Sequence, residues 1–253
     1  MIIIVITLFI WGFLIEPYIL TVKKIQIEDD ALKGLRIVFA TDFHYKPYEK
    51  FRLKRDVKKI NEQNADIILL GGDFLNGHEK GKSLESKVVA QEFAKLKSKY
   101  GVFAVFGNHD VWQDAEGVYD NFTKNNITVL KNNSQKAGNV YIAGVEDMQT
   151  QNPDIEKALK YAKSPTILLS HTPDIIYNVP EDVNLTLAGH LHGGQIRLPF
   201  HGALVAPSKY GTKFAYGMYN VKNRKLFVSR GIGTSVLPLR FFCLPEIVVI
   251  DFI

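Results

Sequence analysis

The chain has 253 residues, 46% of them hydrophobic and 23% charged, which excludes a disordered, fibrous or low-complexity protein and suffices for one large α/β core. Its single cysteine, Cys243, excludes an intrachain disulfide and a cysteine-based zinc site. A formal net charge of +5 suits an anionic partner without requiring one.

From Ile2 to Ile15 only Thr7 and Gly12 interrupt the apolar character. Glu16-Pro17 breaks the run, and Tyr18 to Val22 extends it. A membrane span needs about 20 apolar residues, which this stretch reaches only by including Glu16. No Lys or Arg precedes it, and no small-residue cleavage site precedes Lys23-Lys24. The expectation is an uncleaved anchor over residues 1–22 and a catalytic domain over 23–253, with a buried N-terminal helix or strand as the alternative. Lys23, Lys24, Lys33 and Arg36 favour a membrane-associated protein with its domain on the cytoplasmic face.

Strands and helices then alternate. Leu35 to Thr41, Asp66 to Leu70, Val102 to Phe106, Val140 to Val145, Thr166 to Ser170 and Asn184 to Ala188 read as buried strands. Phe51 to Asn64, Ser86 to Lys99 and a segment starting near Pro153 read as helices. After Gly194 come short strands around 195–198, 214–221, 225–229 and 247–252, broken by Gly and Pro. One α/β domain with two packed sheets and outer helices fits this order.

The acid, amide and imidazole chemistry gathers at the ends of these strands. Asp42 and His44, at i and i+2, can grip one ion. Asp73 can bridge two cations with its two oxygens, and Asn76 can support the ligands around it. Asn108 offers an amide oxygen, and His109 turns an imidazole toward substrate with Asp110 to fix its tautomer. His171 adds a nitrogen, and His190 and His192 sit in a glycine-rich turn that lets both rings approach. Each segment alone fits a polar loop or a capped turn. Together they have the makeup of a two-metal hydrolase site.

The ordered set Asp42-x-His44, Gly72-Asp73-x-x-Asn76, Gly107-Asn108-His109-Asp110, Ser170-His171 and Gly189-His190-Leu191-His192-Gly193-Gly194-Gln195 resembles the calcineurin-like metallophosphoesterase superfamily, from about Leu35 onward. The N-terminal apolar run, Ser170–Asp174, Gly189–Pro199, Ala206–Gly211 and Ser229–Ser235 are similar to its membrane-anchored bacterial branch, with YkuE- and YaeI-type phosphodiesterases and LpxG-type UDP-2,3-diacylglucosamine pyrophosphatases. The resemblance implies a four-layer αββα sandwich of two mixed sheets with flanking helices. It implies Asp42, His44 and His192 on one metal, Asn108, His171 and His190 on a second, Asp73 between them, and His109 as the catalytic imidazole with Asp110.

Mixed carboxylate, imidazole and amide donors suit two divalent ions, manganese ahead of iron or zinc, with a bridging hydroxide as nucleophile. The expected reaction is phosphodiester or pyrophosphate hydrolysis at a membrane surface, on a lipid-linked or nucleotide substrate. A phosphomonoesterase, including a protein phosphatase, is the alternative, and a non-catalytic scaffold is disfavoured because His109 and every ligand are present. No nucleic acid and no protein partner is expected. Lys50, Arg52, Lys54, Arg55, Lys58 and Lys59 read as a solvated helix face, with anionic lipid as the sharper alternative. Arg197, Arg230 and Arg240 are candidates for a second phosphate, and the apolar loops 198–200 and 236–245 for an approach to the metals.

Overall fold

The computed structural model describes residues 2–79 and 81–253. Fourteen strands occur among them: β1 (Thr21–Ile27), β2 (Arg36–Ala40), β3 (Ile67–Leu70), β4 (Val102–Ala104), β5 (Thr128–Val129), β6 (Asn133–Ala137), β7 (Val140–Gly144), β8 (Thr166–Leu169), β9 (Leu185–Ala188), β10 (Arg197–Leu198), β11 (Gly202–Ala203), β12 (Gly217–Val221), β13 (Arg224–Val228) and β14 (Glu246–Phe252). The α-helices are α1 (Ile2–Ile10), α2 (Lys50–Asn61), α3 (Ser86–Phe93), α4 (Asn108–Lys124) and α5 (Ile155–Leu159).

Two six-stranded mixed sheets form, in the orders β1-β14-β2-β3-β4-β5 and β12-β13-β9-β8-β7-β6, and β10-β11 is a separate hairpin. Alternate residues of each central strand face opposite ways, which makes three apolar layers. Ile37, Phe39, Ile67 and Leu69 meet Ile142, Ile167, Leu169 and Leu187 between the sheets. Val38, Ile68 and Leu70 pack outward on Leu53, Val57 and Phe93 of the helices. On the far side, Leu168, Ala188 and Val228 cover Ile175, Ile176 and Phe214. Burial on both faces is why these strands read as unbroken apolar runs. The result is the expected four-layer sandwich.

The N-terminal expectation needs correction. No helix among the described residues is long and apolar enough to cross a membrane. The helical path changes from α to π at Trp11–Ile15 and to 3₁₀ at Glu16–Tyr18, then ends. Thr21 and Val22, at the end of the apolar segment, open β1, which pairs in parallel with β14 along its whole length. Glu16 is buried, not an interruption exposed to solvent. Its carboxylate accepts from Trp11 Nε1 at 2.6 Å, from the Phe242 amide at 3.1 Å and from the Cys243 amide. These bonds fasten the N-terminal segment to the loop before β14. Membrane association on the cytoplasmic face therefore has no spanning helix behind it.

Candidate metal centre

Every predicted metal ligand, and His109, lies just beyond the C-terminal end of a parallel strand. Asp42 and His44 follow β2, Asp73 follows β3, and Asn108 and His109 open α4 after β4. His171 follows β8, and His190 and His192 follow β9 in the second sheet. The site thus forms where the carboxyl ends of both sheets face each other, the usual ligand position in an α/β fold. The loops continue the parallel pairing: the His44 amide donates to the Asp73 carbonyl at 2.9 Å, and the Gly189 amide to the His171 carbonyl at 2.9 Å.

The structure brings these residues into two groups joined by one carboxylate. Asp42, His44, Asp73 and His192 offer donor atoms within 4.8 Å of one another, and so do Asp73, His171 and His190. Asp73 Oδ2 lies 3.4 Å from His44 Nε2 and 3.3 Å from His171 Nε2, so a single oxygen faces both groups. Its Oδ1 accepts the His109 amide at 2.9 Å. Ring nitrogens converge without carbon between them: His44 Nε2 and His192 Nε2 are 3.0 Å apart, and His171 Nε2 and His190 Nδ1 are 3.1 Å apart. Asn108 Oδ1 is buried with no donor.

The backbone carries strain for this arrangement. Asp42, His44, Asp73, His190 and His192 all adopt left-handed φ, at 56°, 45°, 53°, 68° and 50°. Each such residue costs on the order of 1–3 kcal/mol, and such costs concentrate at functional sites. Close glycines make room: a Cβ at Gly107 would strike the Asp73 carboxylate and the His171 ring.

Outer partners choose which ring nitrogen faces inward. His171 Nδ1 donates to the Gly71 carbonyl at 2.8 Å, which leaves Nε2 for the site. Gln149 Nε2 lies 2.8 Å from His190 Nε2, and the other nitrogen of that ring, Nδ1, faces His171. His109 Nδ1 donates to the Gly77 carbonyl at 3.2 Å, and its Nε2 faces a cavity of about 400 Å³.

Two support roles differ from the sequence reading. The Asp110 carboxylate does not hold the His109 ring; it accepts amides of Phe74, Leu75 and Gly107 at 2.8–3.0 Å and ties the Asp73 loop to the start of α4. Asn76 turns away, its side chain donating to the Lys82 carbonyl. Gln113 and Gln149, missed in the sequence, supply support instead. Gln113 donates to the carbonyls of Asn76, Gly77 and Glu79 and fixes the loop that orients His109.

Electrostatics follows from packing these groups together. Burial pushes the His44 and His192 imidazoles well below the ordinary range, toward the neutral form. Burial, with His171 beside it, lowers His190 to about 4. Burial opposes charge on His171, but Asp73 and Asp42 outweigh it and raise that ring to about 10. Burial, aided by Asp73, pushes Asp42 up to about 7 against the pull of His171. Lone pairs on the neutral His44 and His192 rings, an unpartnered amide oxygen and a carboxylate shared with His171 are a donor set for cations.

The arginines are engaged elsewhere. Arg240 is fully buried and donates to the carbonyls of Arg230, Gly231, Gly233 and Cys243. Arg230 lies over the Tyr216 ring at 3.9 Å, and Arg197 donates to the Gly193 carbonyl. None lines the cavity, which is walled by His78, Trp112, Val205, Pro207 and Val236. Nor is α2 wholly a solvated basic face: Arg52 is buried and holds the carbonyls of Phe43 and His44.

Comparisons with known proteins agree with this geometry. Residues 35–194 match the calcineurin-like phosphoesterase family. An uncharacterized metallophosphoesterase, YkuE, of Bacillus subtilis is 32% identical over 93% of this chain and 86% of its own length. An uncharacterized metallophosphoesterase of Helicobacter pylori is 35% identical over 89% of this chain, which spans only 62% of that relative. Phosphodiesterase YaeI of Escherichia coli is 29% identical over 88% of this chain and 84% of its own. With the family's motifs in register and their side chains gathered in one place, the chain belongs to the calcineurin-like phosphoesterase family and is an enzyme, a metal-dependent phosphoric ester hydrolase.

Proposed function

We propose that the protein is a dinuclear-metal phosphodiesterase or pyrophosphatase. The observation that carries this reading is Asp73 Oδ2 facing His44 and His171 at once, with His109 beside them. Asp42, His44 and His192 would hold one ion, Asn108, His171 and His190 the other, and Asp73 both. Two divalent ions, when bound, supply Lewis acidity at the phosphoryl oxygens and acidify the attacking water. Manganese, iron and zinc all accept this mixed donor set.

The chain's own residues do the rest. The left-handed loops fix the donors before substrate arrives. The Gly77 carbonyl holds His109 Nδ1–H, so Nε2 is the atom that meets substrate and can pass a proton to a leaving oxygen. The cavity beyond it has room for a second substituent on phosphorus, and Trp112, Val205 and Val236 give that substituent an apolar wall. This favours diesters and pyrophosphates with an apolar or aromatic group, lipid-linked or nucleotide, over small monoesters. The relative named a phosphodiesterase points the same way.

The test is a panel of diester, monoester and pyrophosphate substrates with added manganese, run on wild type and on His109→Gln. The variant keeps its metal content and loses rate by roughly 10²-fold or more, the size of a general-acid contribution. A tenfold preference for monoesters overturns the diester reading. Metal loss in the variant makes His109 a ligand.

A further inference from the structure

We propose that Ser235 is a second catalytic group, donating a hydrogen bond to the leaving oxygen beside His109. This rests on the hydrolase reading above and adds a residue to it.

Ser235 comes from the loop after β13, which crosses from the second sheet to the first. Along that loop the Ser229 amide donates to the Ala188 carbonyl, and the Ile232 and Gly233 amides to the Thr41 and Asp42 carbonyls. The loop is therefore stitched to the very segment that carries Asp42. Arg240 braces it from beneath through the Gly231 and Gly233 carbonyls. Gln195, three residues after His192, grips Ser235 at both backbone groups: its Oε1 accepts the amide at 2.6 Å, and its Nε2 donates to the carbonyl at 3.0 Å. The backbone of Ser235 is thus tied to the turn that holds His190 and His192, and its side chain is left over.

That side chain lines the same cavity as Asp73, Asn108, His109 and His192. Ser235 Oγ lies 3.5 Å from His109 Nε2. This is the outer limit of a hydrogen bond, and a poor one. Two donors so spaced can, however, each lie roughly 2.8 Å from one acceptor oxygen placed between them. Ser235 is also the only hydroxyl among the described residues lining this cavity.

The step balances as follows. A water oxygen bonds to phosphorus and releases one proton to solvent. The bond from phosphorus to the leaving oxygen breaks, and its electron pair stays on that oxygen. The protonated His109 gives its Nε2 proton to that oxygen and regains one from solvent. Ser235 keeps its own proton and donates a hydrogen bond to the oxygen while charge builds there.

The experiment compares wild type, Ser235→Ala and Ser235→Thr, each loaded with manganese, on phosphodiesters whose leaving groups run from nitrophenol to simple alcohols. Metal content and thermal midpoint are measured on the same samples. Ser235→Ala should lose about 2-fold with nitrophenol and up to roughly 10²-fold with an alcohol, the scale of one donor to a developing oxyanion. Ser235→Thr keeps a hydroxyl and should recover most of the loss. Metal content should not change. A loss equal across all leaving groups, or metal loss in the Ser235→Ala variant, overturns the proposal and leaves the hydrolase reading standing. A wild type inactive on the whole panel overturns both.

Discussion

Nε2 of His44 lies 3.0 Å from Nε2 of His192, in the interior, and neither ring has a partner for its Nδ1. Burial drives both toward the neutral form. Two such rings aimed at each other gain most from a cation that both can face. Occupancy should therefore be stabilising. Protein freed of metal by chelation should show a lower thermal midpoint, and manganese at a hundredfold excess over its dissociation constant should restore about 2.7 kcal/mol. Asp73→Asn should cut binding at both ions, seen as less than one metal per chain by elemental analysis. A variant holding two ions would remove Asp73 from the bridge.

Gln149 should tune metal affinity without touching an ion. Its side-chain amide holds the His190 ring at Nε2 while Nδ1 faces His171. Gln149→Leu should weaken binding roughly 10- to 100-fold by titration calorimetry, the range for outer partners of metal ligands. Gln149→Glu places a carboxylate oxygen there, which can accept from Nε2–H, and should weaken it less. Equal affinity in all three proteins would show that the Gln149 contact does not set the ring.

Glu16 should matter for stability. Its carboxylate serves Trp11 Nε1, the half-buried Phe242 amide and the buried Cys243 amide. Glu16→Ala leaves those donors unpaired, at about 1–3 kcal/mol for a buried unsatisfied group. Urea unfolding should show the midpoint fall with the slope unchanged. An unchanged midpoint would mean that the N-terminal segment contributes nothing to the folded state.

Cys243 should be silent to thiol reagents. Burial raises its thiol above the ordinary range, and Sγ donates to the His192 carbonyl at 3.3 Å. Native protein should therefore release almost no chromophore from a disulfide reagent at neutral pH, whereas unfolded protein should release one equivalent, matching its single cysteine. Fast reaction of folded protein would show that the 240–245 loop opens.

The site was more legible in the sequence than its supports. Asp42, His44, Asp73, Asn108, His171, His190 and His192 could be named because each follows an apolar strand, and strand ends are visible as changes of pattern. Gln149 and Gln113 could not, because a glutamine on a loop or helix gives no sign of the ring or carbonyl it will meet. Asp110 misled for a related reason: adjacency in sequence to His109 suggested contact, but on a helix i and i+1 point apart. β1 was hidden because its residues extend an apolar run, and its partner β14 lies at the other end of the sequence. The short β5 and β6 carry too few residues of clear period to register.

The pairing of β1 with β14 has a consequence for how the protein is made. Thr21 Oγ1 donates to the Pro245 carbonyl, 224 positions along the chain. β14 lies between β1 and β2 and is the neighbour of both. While a ribosome is still adding the residues between them, β1 has no strand to join and β2 has a bare edge. The first sheet closes only when β14, the strand between β1 and β2, has been made, so closure comes late and slowly for so non-local a pairing.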